Sequence, residues 1–527
     1  MRKISQKLLS GSALRTVSLV SNGIVAFILL PFMVRHLGDR LYGFWALAGT
    51  FVGYYGLIDF GLTATVAQYI SGAIGRKDDK ECNLVFNTAL RIHSLLGGSV
   101  VFLTLILAAL APLMFHSSQD AWLFRKVILL LGVTVALDFP LKTYKGLLLA
   151  EMHFDTLSWL SLLNTALRTM FIVWAIVAGY GLLGLAWATM LAAFPISLLT
   201  LWFTHKTFPW VRIHASPMNR KTTKSLFSYS VYLFVADVAD SLRFGVDPVV
   251  ITAFVGLAAV THYKIASVFA DQYLRVMISM LGVFQPLLSQ LHSANEHVKI
   301  KKTFFLATKI SVCAASFLCF GLIAWGKPMI LRWMGLHYLD AYGPLVVLSL
   351  AMLVDLWQLP SVSLLNATFN HRFYAFSNLA EGLLNLGVSL ILVRRYGILG
   401  VALGTLVAAI VLRIIVQPWW MCKVTDISYS MYMRQLSGSI FRCAGVISIS
   451  FPLVFWGLRP DYKYIFSSAV WAAILYALGS WFLVFGPDER KMFWNAFGRR
   501  NNDPKANMST PSSTLDSEEI EARAGQI

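Results

Sequence analysis

The chain has 527 residues, of which 57% are hydrophobic and 13% charged, and its mean hydropathy is +0.66. A soluble domain carries about 25% charged residues, so a water-soluble globule of this size, a disordered chain and a secreted disulfide scaffold are excluded. What remains is an all-α, polytopic membrane protein. In such a chain the net charge of +18 does not point to nucleic acid; the excess belongs in cytoplasmic loops.

Apolar runs of spanning length follow one another along the chain. They predict fourteen helices, at about 14–34, 42–69, 93–115, 126–150, 157–178, 183–203, 229–254, 260–288, 304–325, 343–368, 376–393, 399–421, 439–458 and 465–486. The first run follows Arg2, Lys3 and Lys7, as in a signal peptide, but it continues through Pro31 without a small-residue cleavage site and reads as an uncleaved helix. With the N-terminus inside, the inner segments hold 27 Lys and Arg and the outer loops 10. This asymmetry predicts that both termini are cytoplasmic. The polar tail beyond about Asn501 has no aromatic residue and reads as disordered. Prolines at 31, 140, 195, 248 and 360 fall inside runs, where neighbouring helices must satisfy the carbonyls they free.

The two halves repeat. Tyr180-Gly181-Leu182-Leu183-Gly184-Leu185-Ala186 with Thr189 matches Tyr396-Gly397-Ile398-Leu399-Gly400-Val401-Ala402 with Thr405. Pro31 with Gly38 echoes Pro248 with Gly256, and Asp138 with Pro140 echoes Asp355 with Pro360, all at offsets of about six spans. Six is even, so the repeats run parallel about an axis along the membrane normal, with the working site between them. The expected division is two six-helix pseudo-symmetric lobes, 1–203 and 204–422, then two extra helices in 423–486 and a largely disordered cytoplasmic tail, 487–527.

Several motifs fail. Gly179-Tyr180-Gly181-Leu182-Leu183-Gly184 fits a dinucleotide fingerprint but sits between two spans, so it reads as a tight turn. No phosphate-binding loop of the Walker type occurs. The five cysteines form no metal-ligand spacing, Cys313 and Cys319 read as buried apolar residues, and His292 and His297 read as loop histidines. Neither metal nor cofactor is expected, and no catalytic group; the longest outer loop, about 326–342, leaves no room for an outer catalytic domain.

The informative residues are fifteen charges inside the spans: Asp59, Asp138, Asp237, Asp240, Asp247, Asp271, Asp355 and Glu381, with Lys142, Lys145, Arg168, Arg243, Lys264, Arg275 and Arg413. At roughly 2.5–3.5 kcal/mol each, lipid-facing placement of them all is untenable. Lys145, Arg413 and Glu381 lie near span ends, where a long side chain can snorkel. At 100° per residue, Lys264, Asp271 and Arg275 form one narrow stripe, and so do Asp138, Lys142 and Lys145. Two readings stand: pairs such as Asp271 with Arg275 that lock helix packing, or the lining of a polar cavity. Tyr54, Tyr55, Tyr263 and Tyr273 lie nearby and fit either anchoring or stacking on sugar rings.

The residues Leu30-Pro31, Arg35-His36-Leu37-Gly38, Tyr42-Gly43-Phe44-Trp45-Ala46-Leu47 and Asp59-Phe60-Gly61-Leu62, with Arg76, then Leu384-Asn385-Leu386, Ser389-Leu390-Ile391-Leu392-Val393 and Tyr396–Ala402, resemble the polysaccharide-biosynthesis oligosaccharide flippases (Wzx-type) of the multidrug/oligosaccharidyl-lipid/polysaccharide exporter superfamily. The resemblance covers about 1–486. It implies a transporter in the bacterial inner membrane that flips an undecaprenyl-pyrophosphate-linked oligosaccharide by alternating access, driven by an ion gradient. Glycosyltransferases and a polysaccharide polymerase are the implied partners, besides membrane lipid. A pyrophosphate needs cations in a low-dielectric cavity, and Lys142, Arg168, Arg243, Lys264 and Arg275 are the candidates; Asp59, Asp138 and Asp355 are candidates for ion coupling. A peptidoglycan-precursor (lipid II) flippase and a multidrug cation antiporter of the same superfamily are the alternatives.

Overall fold

The computed structural model describes residues 2–115, 117–214, 223–224, 226, 234–235, 237–243, 245–368, 371–425 and 427–491. Nearly all of the tail expected to be disordered, and much of the connection into the seventh expected span, fall outside these residues. Among the described residues the chain is helical and contains no strand. This is the state in which an apolar chain in lipid satisfies its own backbone. Ten of the described stretches are long and apolar enough to cross a membrane. Large apolar side chains such as Ile28, Phe102, Ile391 and Phe441 stand exposed around them, as lipid contact requires.

Helix α1 (Arg2–Tyr55) runs 54 residues, roughly 80 Å at 1.5 Å per residue. A bilayer core is about 30 Å thick, so α1 holds two crossings. They separate at Gly38, whose φ of 78° is left-handed and free of strain only for glycine. The second crossing is itself interrupted: a 3-10 turn at Gly56–Asp59 precedes Phe60 (φ 51°) and Gly61 (φ 69°), and α2 (Leu62–Gly75) resumes beyond. Asp59 holds this break, accepting from Thr63 N at 3.3 Å and Thr63 Oγ1 at 3.1 Å.

The remaining N-terminal helices are α3 (Asp79–Met114), α4 (Ser118–Ala150), α5 (Phe154–Val177) and α6 (Gly181–Thr207). After a helical segment at 237–243 come α7 (Asp247–Phe254), α8 (Leu257–Leu281), α9 (Phe284–Ser293), α10 (His297–Trp333), α11 (Tyr342–Trp357), α12 (Leu359–Ala367), α13 (His371–Tyr396), α14 (Ile398–Ala409), a π-helical segment Ile410–Val416, α15 (Gln417–Thr425), α16 (Tyr429–Ser450), α17 (Pro452–Gly457) and α18 (Tyr462–Leu483). Helices α1–α6 pack on one another, and α7–α15 on one another; the two groups meet along α1, against α7 and α8. Helices α16 and α18 lean on α10.

Two in-helix prolines, Pro31 and Pro112, and one at the start of α12, Pro360, show how the freed carbonyls are satisfied. Pro31 leaves Phe27 O without its helical donor, and Trp333 Nε1 donates to it at 3.0 Å. Pro112 frees Ala108 O, which accepts from Arg125 Nε at 3.0 Å; Pro360 frees Leu356 O, which accepts from Ser311 Oγ at 2.5 Å. The repeated glycine motif does the same work twice. Gly181 and Gly397 each take φ 57° in the turns that open α6 and α14. A Cβ on Gly184 would stand 3.1 Å from Ala175 Cβ of α5, and one on Gly400 2.4 Å from Leu392 O of α13, so each glycine permits a close helix contact.

Candidate functional site: charges within the helices

Asp59, His93 and Lys142 of the first group gather at the break in the second crossing. Asp59 accepts from His93 Nε2 at 3.1 Å and pairs with Lys142 Nζ at 3.3 Å. His93 is fully buried, and its Nδ1 lies 2.7 Å from Thr143 Oγ1. The unwound turn positions Asp59, α3 supplies His93, and α4 supplies Lys142 and Thr143. Sequence reasoning missed His93; its signal is an ionisable residue at the start of an apolar run. Asp138 does not join this cluster. It pairs with Lys145 at 2.7 Å, two turns along its own helix, and both side chains stay partly exposed.

The second group holds a closed quartet. The Arg243 guanidinium pairs with Asp355 and, through Nε, with Glu381 Oε1 at 2.7 Å. Arg413 Nε pairs with Asp355 Oδ1 and its Nη2 with Glu381 Oε2, both at 2.8 Å. Asn378 Oδ1 and Gln417 Oε1 accept further bonds from Arg413. Two cations and two carboxylates alternate, so the charge closes to zero inside the protein. Arg413 and Glu381 are only 1% exposed, which corrects the expectation that they snorkel. Arg413 lies in the π-helical segment, where one extra residue per turn rotates the following side chains relative to an α-helix. Arg243 and Asp355, expected at a binding and a coupling site, are both members of this quartet.

On α8, Lys264 Nζ stands 3.5 Å from Asp271 Oδ2, so Asp271 pairs with Lys264 and not with Arg275. The two residues line a small cavity of about 100 Å³ with Arg243, Asp247, Tyr263 and Thr405. Arg275 continues the same stripe and is exposed. Arg168 is also exposed. It follows Ser161 and Thr165 on one face of α5, and those two hydroxyls contact Ser18 and Asn22 of α1. Arg168 and Arg275 have no acidic partner among the described residues. Asp237 and Asp240 stand exposed on 237–243. The four tyrosines have structural partners. Tyr54 OH donates to Gly245 O, Tyr263 OH to Asp247 Oδ2 and Tyr273 OH to Ala315 O, while Tyr55 OH accepts from Thr104 Oγ1.

The two groups are tied at the Gly38 end. Asp39, beyond the first crossing, accepts from Tyr338 OH at 2.6 Å and from His337 Nε2 at 2.9 Å, and its carbonyl accepts from Thr261 Oγ1 at 2.6 Å. Burial pushes the Asp39 carboxyl up, but the bonds from Tyr338 and His337 outweigh it and hold the group below the ordinary carboxylate value. Below this tie, Phe27 stacks on Trp333 at 4.1 Å and meets Phe269 edge-on at 5.4 Å. A Cβ on Gly43 would lie 1.8 Å from Leu257 O, so the helices touch backbone to backbone there.

Residues 8–292, more than half of the chain, match the polysaccharide biosynthesis protein family. The chain belongs to that family. Among its relatives, a protein described as an uncharacterized membrane protein, EpsK, from Bacillus subtilis (strain 168) is 21% identical over 488 residues, which is 89% of this chain and 93% of that protein. A putative O-antigen transporter from Shigella flexneri is 21% identical over 76% of this chain and 96% of its own length. Among solved structures, the lipid II flippase MurJ in an inward closed conformation is similar with a TM-score of 0.68 at 15% identity, over 92% of this chain and 100% of that one. An inward-facing multidrug resistance MATE family transporter of the MOP superfamily scores 0.66 at 16% identity, over 78% and 94%. These likenesses establish the fold, an all-helical polytopic membrane protein.

Proposed function

We propose that this chain flips an undecaprenyl-pyrophosphate-linked oligosaccharide repeat unit across the bacterial inner membrane for surface polysaccharide synthesis. It works by alternating access between two six-helix lobes, 1–203 and 204–422, with spans 13 and 14 attached and both termini cytoplasmic. It is a transporter and not an enzyme; glycosyltransferases supply its substrate and a polymerase consumes it. Family membership and the O-antigen transporter relative support this reading. The observation in this chain that carries it is the pair Arg168 and Arg275. They are accessible arginines inside the helices, without an acidic partner among the described residues, on faces of α5 and α8 that flank α1. A guanidinium held in low dielectric recognises a pyrophosphate through paired N–H donors. Lys142 and Lys264, each held by one carboxylate, extend the cationic surface. A carrier of drug cations has no use for uncompensated arginines, which sets the multidrug reading below this one.

Ion coupling is assigned to Asp59 with His93, where an intramembrane carboxylate shares a proton position with a buried imidazole at a break in the helix. The reading is tested by reconstitution. Proteoliposomes holding the chain should move a lipid-linked repeat unit to the outer leaflet when an ion gradient is imposed, and liposomes without it should not. A gene deletion that leaves outer-leaflet delivery of the repeat unit unchanged would overturn the proposal.

A further inference from the structure

The Gly38 end carries a group of side chains outside the proposed substrate-binding and coupling residues. Gly38, at φ 78°, turns the chain so that Asp39 leaves the line of the first crossing and faces the second group of helices. There it meets His262 of α8 and His337 of the 3-10 turn Leu336–Ala341. Asp39 Oδ2 stands 2.9 Å from His337 Nε2 and 3.7 Å from His262 Nε2, and one donor atom from each of the three residues lies within 4.8 Å of the others. In a tetrahedral site with bonds of about 2.0–2.1 Å, neighbouring donor atoms lie roughly 3.3 Å apart. The two measured separations bracket that value.

The surroundings favour coordination. His262 Nδ1 lies 2.6 Å from Asp340 Oδ1, so a proton on Nδ1 is held there and Nε2 presents its lone pair toward Asp39. A carboxylate behind a ligating imidazole is the usual support of such a ligand. Tyr338 OH binds Asp39 Oδ1 at 2.6 Å and leaves Oδ2 as the inward-facing oxygen. His337 is 69% exposed, which provides solvent access and room for a water as the fourth ligand. With the His337 proton moved to Nδ1, so that Nε2 also presents a lone pair, two imidazoles, one carboxylate and one water suit a divalent transition metal of the zinc class.

The geometry points to Asp39, His262 and His337 as a divalent transition-metal site that staples the two helix groups together at the Gly38 end. The ligands come from both sides: Asp39 follows the first crossing, and both histidines belong to the second group. The bound ion holds that end shut, and release frees it to open. The binding site stands without any reading of the cargo; that the stapled end is the outer gate rests on the proposed transport cycle.

The test uses the full chain in nanodiscs, with any affinity tag removed, titrated with Zn²⁺ against a fluorescent chelator. The wild type is expected to bind one Zn²⁺ per chain. His337→Ala, at an exposed position, and Asp39→Asn, which keeps the shape, should each weaken binding at least tenfold while leaving the melting temperature without metal near the wild-type value. Binding should also fall at acid pH, because imidazole ligands must be neutral. Spin labels at positions 119 and 395, on opposite groups, read the staple: Zn²⁺ should narrow the distance distribution in the wild type and not in Asp39→Asn. No saturable binding by the wild type, or equal binding by both variants, overturns the site. Binding that leaves the label distances unchanged overturns the staple. Neither result bears on whether the chain flips a lipid-linked sugar, which the proteoliposome measurement decides separately.

Discussion

At the scale of single residues, the intramembrane charges divide into those that hold the protein together and those free to act. The Arg243–Asp355–Glu381–Arg413 quartet belongs to the first kind. Removing one member leaves an uncompensated charge in the interior, which costs about 3–5 kcal/mol, whereas removing an opposite pair is far milder. Arg413→Gln should therefore lower the melting temperature sharply, and Arg413→Gln/Glu381→Gln should recover most of the loss; a double variant as unstable as the single one would break this account. The Asp59–His93 contact belongs to the second kind. Asp59→Asn and His93→Gln should lose at least tenfold of the gradient-stimulated flipping rate, measured per folded transporter so that any loss of stability is separated from loss of coupling. Full gradient dependence in both variants would remove the pair from coupling. The sequence marks Asp59, Asp355 and Arg243 as charges that must be buried or wet, because lipid excludes them. It does not mark their partners. Glu381 and Arg413 look like span-end residues until a π-helical turn, invisible to a 3.6-residue periodicity, carries Arg413 inward. His93 stands alone in its run and becomes meaningful only beside Asp59 and Thr143.

At the scale of the element, the prolines are the instructive case. Pro31 is legible as a bend point, but the partner of the carbonyl it frees lies some three hundred residues away, in the Trp333 indole. The contact between α1 and α10 therefore contains a hydrogen bond that any separation of the two helices must break. Trp333→Phe keeps an aromatic ring against Phe27 and deletes the donor. A buried carbonyl left unsatisfied costs about 1–3 kcal/mol, so the variant should shift the population away from closure at the Gly38 end by roughly tenfold. The measurement is the labelling rate of a cysteine at Met33 by an impermeant maleimide, in a background without the five native cysteines. Adding Pro31→Ala returns a helical N–H to Phe27 O and should restore slow labelling. If the double variant labels as fast as Trp333→Phe, the freed carbonyl is not the cause. The glycine turns were more accessible to sequence reasoning. A motif that repeats at a fixed offset and starts a helix each time declares a local backbone requirement, and Gly181 and Gly397 meet it with the same left-handed φ.

At the scale of the whole molecule, the helical class and the family were legible because lipid permits so few solutions and the motifs near 35–47 and 384–402 are ordered along the chain. What composition and periodicity could not supply is which charges face one another across helices. The α8 stripe makes the difference concrete. Lys264, Asp271 and Arg275 share one face by spacing, and an Asp271–Arg275 lock was the natural pairing at four residues' separation. The structure gives Asp271 to Lys264 and leaves Arg275 exposed, without an acidic partner among the described residues. The consequences for mutation are reversed. Were Arg275 half of a lock, Arg275→Gln would strand Asp271, and Asp271→Asn/Arg275→Gln would restore both folding and transport. With Asp271 held by Lys264, Arg275→Gln should express and melt like the wild type. If it binds a pyrophosphate, it should nonetheless lose most flipping. Arg275→Lys keeps the charge without the planar fork and should retain a partial rate, and Asp271→Asn/Arg275→Gln should remain as inactive as Arg275→Gln. Arg168→Gln, on the opposite side of α1, should behave like Arg275→Gln in flipping and in stability, since it also leaves no stranded carboxylate behind. Near-normal flipping by the Asp271→Asn/Arg275→Gln protein would remove Arg275 from substrate binding and return the α8 stripe to a structural role.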